Sequence, residues 1–144
     1  MSNKYIVGYD GSPTARRALD FAVETATNSG AEVLVVYVLE WSPYSFLTPE
    51  ELEERHKRRG EELERARRAV IDPVLQSVSA AGVKIDSTIK YGHVAATLCT
   101  IARDSGAVQI FVGRTGEGGI VDRVFGSVAG TLAQIAPVPC TLVP

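Results

Sequence analysis

The chain has 144 residues, 15 Lys and Arg against 17 Asp and Glu, and a formal net charge of -2. That length suits one ordinary domain able to bury a core without staples, and the balance gives no positive field to draw nucleic acid or anionic membrane. Its two cysteines, Cys99 and Cys140, show no CxxC or Cys/His spacing that would suggest a zinc site, and both read as reduced core thiols.

The opening run Tyr5-Ile6-Val7 is short and β-rich and ends in Gly8-Tyr9-Asp10-Gly11-Ser12-Pro13. Serine before proline is a helix start, the hydroxyl capping free amides and the proline fitting the first turn. Ala15, Ala18, Leu19, Ala22, Val23 and Ala26 recur at helical spacing until Asn28-Ser29-Gly30 stops them. Val33 to Leu39 is apolar throughout, as in a central strand buried on both faces of a parallel sheet.

Trp41 to Leu47 reads as a loop, and Thr48-Pro49-Glu50-Glu51 as a capping box. The helix it opens runs toward Ala80 and carries seven Glu and seven Lys or Arg between Thr48 and Val70. Glu51/Arg55, Glu53/Lys57, Glu54/Arg58, Glu61/Arg65 and Glu64/Arg68 all stand four residues apart in the favourable order. The interleaved acids make HKRRG a solvated face rather than a nucleic-acid site. Pro73 should kink or break this helix, and Gly60 weakens it.

Val83 to Tyr91 alternates apolar and polar residues, which suits a strand near the sheet edge. Gly92-His93 turns into a helix bearing Ala95, Leu98, Ile101 and Ala102, closed by Ser105-Gly106. Ala107 to Val112 is another buried strand, Gly113 to Phe125 a loop, Ser127 to Ala136 a helix, and Cys140 to Val143 a last strand between Pro139 and Pro144. Strands alternating with helices imply right-handed crossovers. The expected architecture is α/β: a Rossmann-like, doubly wound, five-stranded parallel sheet with helices on both faces, residues 1–144 forming one domain. No apolar run approaches the ~18 residues a membrane span needs, and no leader is seen. A cytoplasmic protein without membrane insertion is expected.

In such sheets ligands sit beyond the carboxyl ends of the strands, where strand order reverses. Asp10-Gly11-Ser12 and Gly113-x2-Gly116-x9-Gly126-Ser127 both belong there. Glycines let a backbone approach phosphate closely, and a Gly-Ser helix start offers free amides, a hydroxyl and a favourable dipole. A surface loop with a helix cap is the plainer alternative, but the placement between a buried strand and a helix start favours a nucleotide.

These segments resemble the universal stress protein family over essentially the whole chain. The G-x2-G-x9-G-S/T pattern marks that family's ATP-binding branch. VGYDGS resembles its opening strand, and GSVAGTLAQIAPVPCTLVP resembles its GSV helix and final strand. The resemblance implies that Asp10 bonds the ribose or adenosine side, Val38 contacts adenine and Val112 flanks it. Gly113, Arg114 and Gly116 would wrap the phosphates from one side, and Gly126, Ser127 and Val128 from the other. It implies ATP (or ADP or AMP) with magnesium, and a homodimer paired through the C-terminal strand, with protein partners unspecified. Three positions depart from the family pattern: Gly8 where proline is common, Val108 where aspartate is common, and Cys140-Thr141 for a more aliphatic pair.

A phospho-acceptor role for Asp10 lacks the neighbouring acidic pair and the later lysine such a site needs, no lysine following Lys90. His93 reads as a turn residue and His56 as solvated, since no nucleophile with an orienting carboxylate is evident. The glycines lack the Gly-Lys-Ser/Thr of a P-loop. The set needed for rapid phosphoryl transfer is therefore incomplete, and a regulatory, stress-response protein with at most slow ATP hydrolysis is expected. The alternatives are a weak ATPase or other adenine-nucleotide-using enzyme, and a structural partner protein with a vestigial site.

Overall fold

A computed structural model describes residues 3–40, 48–115 and 127–144. Strands β1 (Lys4–Gly8), β2 (Glu32–Leu39), β3 (Ile85–Tyr91), β4 (Gln109–Gly113) and β5 (Cys140–Val143) form one sheet in the order β3-β2-β1-β4-β5. Every pairing is parallel, with Val7 opposite Val35 on one side and Phe111 on the other. The expected doubly wound α/β fold is the observed one.

Successive residues of a strand point to opposite faces, and both faces are covered. Tyr5, Val7, Val33, Val35 and Phe111 pack with Leu19, Ala22 and Val23 of α1 (Pro13–Ser29) and with Val74 and Val78 of α3 (Asp72–Val78). On the other face, Ile6, Val36, Ile110 and Val112 meet Leu98 and Ala102 of α4 (Val94–Ser105) and Ala129 and Leu132 of α5 (Ser127–Ile135). Two apolar layers thus flank a sheet whose middle strands read as unbroken hydrophobic runs for that reason.

The helix punctuation acts as its chemistry dictates. Ser12 caps α1 by accepting the Ala15 N–H at 3.2 Å, and Gly30 closes it in the left-handed region, its N–H returning to the Ala26 carbonyl at 2.8 Å. Thr48 caps α2 (Pro49–Ala66) through the Glu51 N–H at 3.2 Å. Of the expected charge pairs, Glu54–Arg58 closes at 3.2 Å and Glu64–Arg68 at 3.0 Å.

The break expected at Pro73 falls earlier, in a π turn at Arg67–Ile71. Proline has no N–H for the carbonyl four residues back and its ring crowds that carbonyl. The chain widens ahead of it, the Asp72 N–H reaching the Arg67 carbonyl five residues back, and Pro73 sits in the first turn of α3. Above that turn α2 buries Ala66 and is otherwise largely solvated. Tyr91, at the end of the edge strand β3, braces it. Its hydroxyl donates to Glu62 Oε2 at 2.8 Å, and the Arg59 guanidinium carbon lies 4.6 Å from its ring centroid. Burial and the Glu62 bond push the Tyr91 hydroxyl up to about 12.

Cys99 is buried and Cys140 half-buried; both are free thiols, and burial pushes both up. Cys140 is therefore less enclosed than a core thiol, because β5 is an edge strand of the described sheet. Val108, the departure before β4, is 40% exposed. Among the described residues no helix is long and apolar enough to cross a membrane.

Candidate functional site

Strands β1 and β4 are neighbours, yet β1 leads into α1 on one face while β4 leads toward α5 on the other. This divergence opens a crevice at their carboxyl ends, the place such sheets use for ligands. A cleft lies there with about 570 Å3 of empty space, its open mouth included. Its walls are Val36 and Val38 of β2, Val94 and Leu98 of α4, Val112 of β4, and Val128 and Ala129 of α5. Asp10, Ser12, Thr115 and Ser127 supply polar groups. An apolar slot with a few polar groups suits a flat ring carrying a polar tail.

Gly8 keeps the slot open. A Cβ there would lie 3.0 Å from both Leu98 Cδ1 and Val112 Cγ1, so a larger residue would press into two of the walls. After Gly8 the backbone turns, with Gly11 at φ 83° and the Asp10 carboxylate accepting the Ser12 N–H at 2.9 Å. This turn presents Asp10 half-buried at the cleft and hands the chain to the Ser12 cap. Burial pushes the neighbouring Tyr9 hydroxyl up, against the opposing pull of Arg16.

A file of hydroxyls joins this turn to the segment after β4. Thr14 Oγ1 donates to the Thr115 carbonyl, which can only accept. With its one proton committed there, Thr14 accepts from Ser12 Oγ at 3.2 Å, while Ser12 Oγ itself accepts the Ala15 N–H. The order of donation is therefore Ala15 N–H to Ser12, Ser12 to Thr14, and Thr14 to Thr115. Ser12 is only 5% exposed, a buried hydroxyl fully used. The approach that permits this requires glycine at 113, where a Cβ would meet Thr14 Oγ1 at 2.8 Å.

Of the residues singled out in the sequence, Asp10, Val38, Val112, Gly113, Ser127 and Val128 line this one cleft. Val38 is 8% exposed and Ser127 opens α5 as an exposed residue. Arg114 stands exposed just past β4, and its backbone N–H is already given to the Val143 carbonyl at 2.7 Å. What Arg114 can offer a ligand is thus its guanidinium rather than its amide. Gly116 and Gly126 lie outside the described residues. His93 is an exposed residue at the start of α4 and makes no side-chain capping bond. The sequence placed Asp10-Gly11-Ser12 at the ligand end of the sheet, where Ser12 lines the cleft, but it did not single out Thr14, Thr115 or Leu98 for the site. The hydroxyls Ser12-x-Thr14 at the mouth of a βα turn were the signal available.

The sequence model of the universal stress protein family matches residues 1–144. A universal stress protein of Thermus aquaticus is 31% identical over 144 residues, covering 99% of this chain and 99% of that protein. Among solved structures, UspA of Lactobacillus plantarum superposes with a TM-score of 0.83 at 22% identity, over 99% of this chain and 97% of that one. A universal stress protein solved in complex with cAMP matches with a TM-score of 0.68 at 24% identity, over 99% and 97% of the two chains. An Arabidopsis thaliana family protein solved with AMP bound matches at 0.65 and 16% identity, over 98% and 90%. By the family match over its whole length and by its fold, the chain belongs to the universal stress protein family.

Proposed function

We propose that this protein binds an adenine nucleotide, ATP foremost, in the cleft between the ends of β1 and β4, and works as a nucleotide-responsive regulatory homodimer in the cytoplasm. The observation that carries the reading is the cleft itself. Apolar walls that include Val38 and Val112 share one space with the Asp10 turn and the polar groups of Thr115 and Ser127. The adenine would lie against Val38 and Val112, and Asp10, half-buried and a hydrogen-bond acceptor, would take a ribose hydroxyl. The phosphates would run between Gly113, Arg114 and Gly116 on one side and Gly126, Ser127 and Val128 on the other. There the α5 N-terminus favours negative charge. Relatives solved with AMP and cAMP support the ligand class.

Magnesium fits as a companion of the phosphates rather than as a resident of the protein. Among the described residues no three carboxylate, imidazole or thiol groups gather, and magnesium is commonly held by phosphate oxygens and water with few protein ligands. Bound there it would screen the phosphate charge. Within the segment Gly113 to Ser127 the positive residues are Arg114 and Arg123, with no lysine. Binding and response, with at most slow hydrolysis, therefore suit the site better than rapid phosphoryl transfer.

The direct test is to denature the purified protein and weigh the small molecules released. Adenine nucleotide near one equivalent per chain supports the reading. Protein that releases none and takes up none on incubation with ATP, ADP or AMP refutes it.

A further inference from the structure

Thr14 has no place among the nucleotide contacts proposed above, yet it joins the two sides of the cleft. It stands in the first turn of α1, and its hydroxyl holds the carbonyl of Thr115, two residues past the end of β4. The Thr115 carbonyl lies beyond the last residue of β4 that pairs with β5, so strand pairing does not hold it. We infer that Thr14 is a positioning residue that sets the affinity of the cleft for the phosphate chain, an inference resting on the adenine-nucleotide reading.

The physical argument has three parts. A peptide unit is planar and carbonyl bonds are directional, so holding the Thr115 carbonyl fixes the course of the chain as it leaves β4. Amides that bind phosphate must be aimed before the ligand arrives, or affinity is lost in ordering them. The hold is itself braced, because Ser12 donates to Thr14 and is in turn polarised by the Ala15 N–H of α1. Gly113 supplies the third part. Thr14 packs against its bare Cα, and the first two residues past Val112 are thereby pinned between Thr14 on one side and the Val143 carbonyl on the other.

Valine has the shape of threonine and no hydroxyl. In Thr14→Val the methyl groups still pack on Gly113, while the Thr115 carbonyl loses its donor and Ser12 loses its acceptor. The adenine and ribose contacts, on β2, β4 and the Asp10 turn, do not involve this hydroxyl. The substitution should therefore separate the phosphate part of binding from the adenosine part.

The test is calorimetric titration of the intact protein, of Thr14→Val and of Thr14→Ser, each with ADP and with adenosine, beside thermal melts. The expected result is ADP binding weakened about three- to tenfold in Thr14→Val, the loss of one hydrogen bond. Adenosine binding stays unchanged, and ADP affinity returns in Thr14→Ser. If valine unfolds the protein, Thr14→Ala takes its place with the same expectations. Unchanged ADP affinity in the hydroxyl-free variant overturns the inference. So does an equal loss for ADP and adenosine, or a serine variant as weak as the valine one. A parent protein that binds neither ligand overturns the nucleotide reading and this inference together, whereas a binding parent with an indifferent Thr14→Val overturns the inference alone.

Discussion

Thr14 occupies the space that a side chain on Gly113 would need. A Cβ built there would lie 2.8 Å from Thr14 Oγ1, 2.9 Å from its Cβ and 3.0 Å from its backbone carbonyl carbon. The first two atoms belong to a side chain already tied to Thr115, and the third belongs to α1 itself. Gly113→Ala can be accommodated only by moving the helix from the sheet. It should destabilise the fold by about 1–3 kcal/mol, the usual cost of overpacking. Gly60→Ala makes the contrast, because a Cβ there meets nothing within 4 Å and the residue is an exposed one inside α2. That change should stabilise by about 0.5–1 kcal/mol. Urea unfolding of both variants measures the pair; equal stability for Gly113→Ala and the parent would show that α1 does not press on β4.

Tyr91 gives a pH signature for the docking of α2. Burial first, and then the Glu62 carboxylate that accepts its proton, hold its hydroxyl up at about 12, above the ordinary value of 10.0. The folded value exceeds the unfolded one, so this contribution to stability is whole below pH 10 and is lost as pH rises through about 12. In an ultraviolet titration Tyr91 should ionise late, identified as the step missing from Tyr91→Phe. Glu62→Gln, which leaves a weaker acceptor and no charge, should bring that step earlier. A Tyr91 step near 10 in the parent would mean that α2 does not rest on β3.

Strand β5 pairs with β4 and no other described strand, and proline flanks it on both sides. Beside it a groove lined by Leu132, Ala136, Val138 and Leu142 is apolar. Exposed apolar edges are commonly covered or paired, and a homodimer through this strand is the expected cover. Sedimentation equilibrium at micromolar protein should return twice the chain mass, with or without ATP. A monomer under both conditions would rule the pairing out.

Much of this was legible in the residues. Ser12-Pro13, Asn28-Ser29-Gly30 and Thr48-Pro49 punctuate helices where the structure does, because caps act within three or four residues. Val33 to Leu39 announced a strand covered on both faces, and β2 is one. What escaped depends on distance along the chain. The Thr14–Thr115 bond joins residues 101 apart, and no local pattern points to it. The commitment of the Arg114 amide to Val143 likewise needs the register of β4 against β5. The π turn fell ahead of Pro73 because proline disturbs the carbonyl four residues before it, where the sequence shows only ordinary helix formers.

The central claim, that the cleft binds ATP through the loop beyond β4, is tested most directly by titrating Mg-ATP into the protein and into Gly116→Val by calorimetry. Valine disfavours positive φ and puts a branched side chain where phosphate should approach the backbone. The account predicts saturable binding near one nucleotide per chain in the parent. In the variant, affinity should fall about two to four orders of magnitude, two charge-assisted contacts being lost, with the melting temperature and oligomeric state unchanged. A parent that gives no saturable heat, or a Gly116→Val that binds as the parent does, would contradict it.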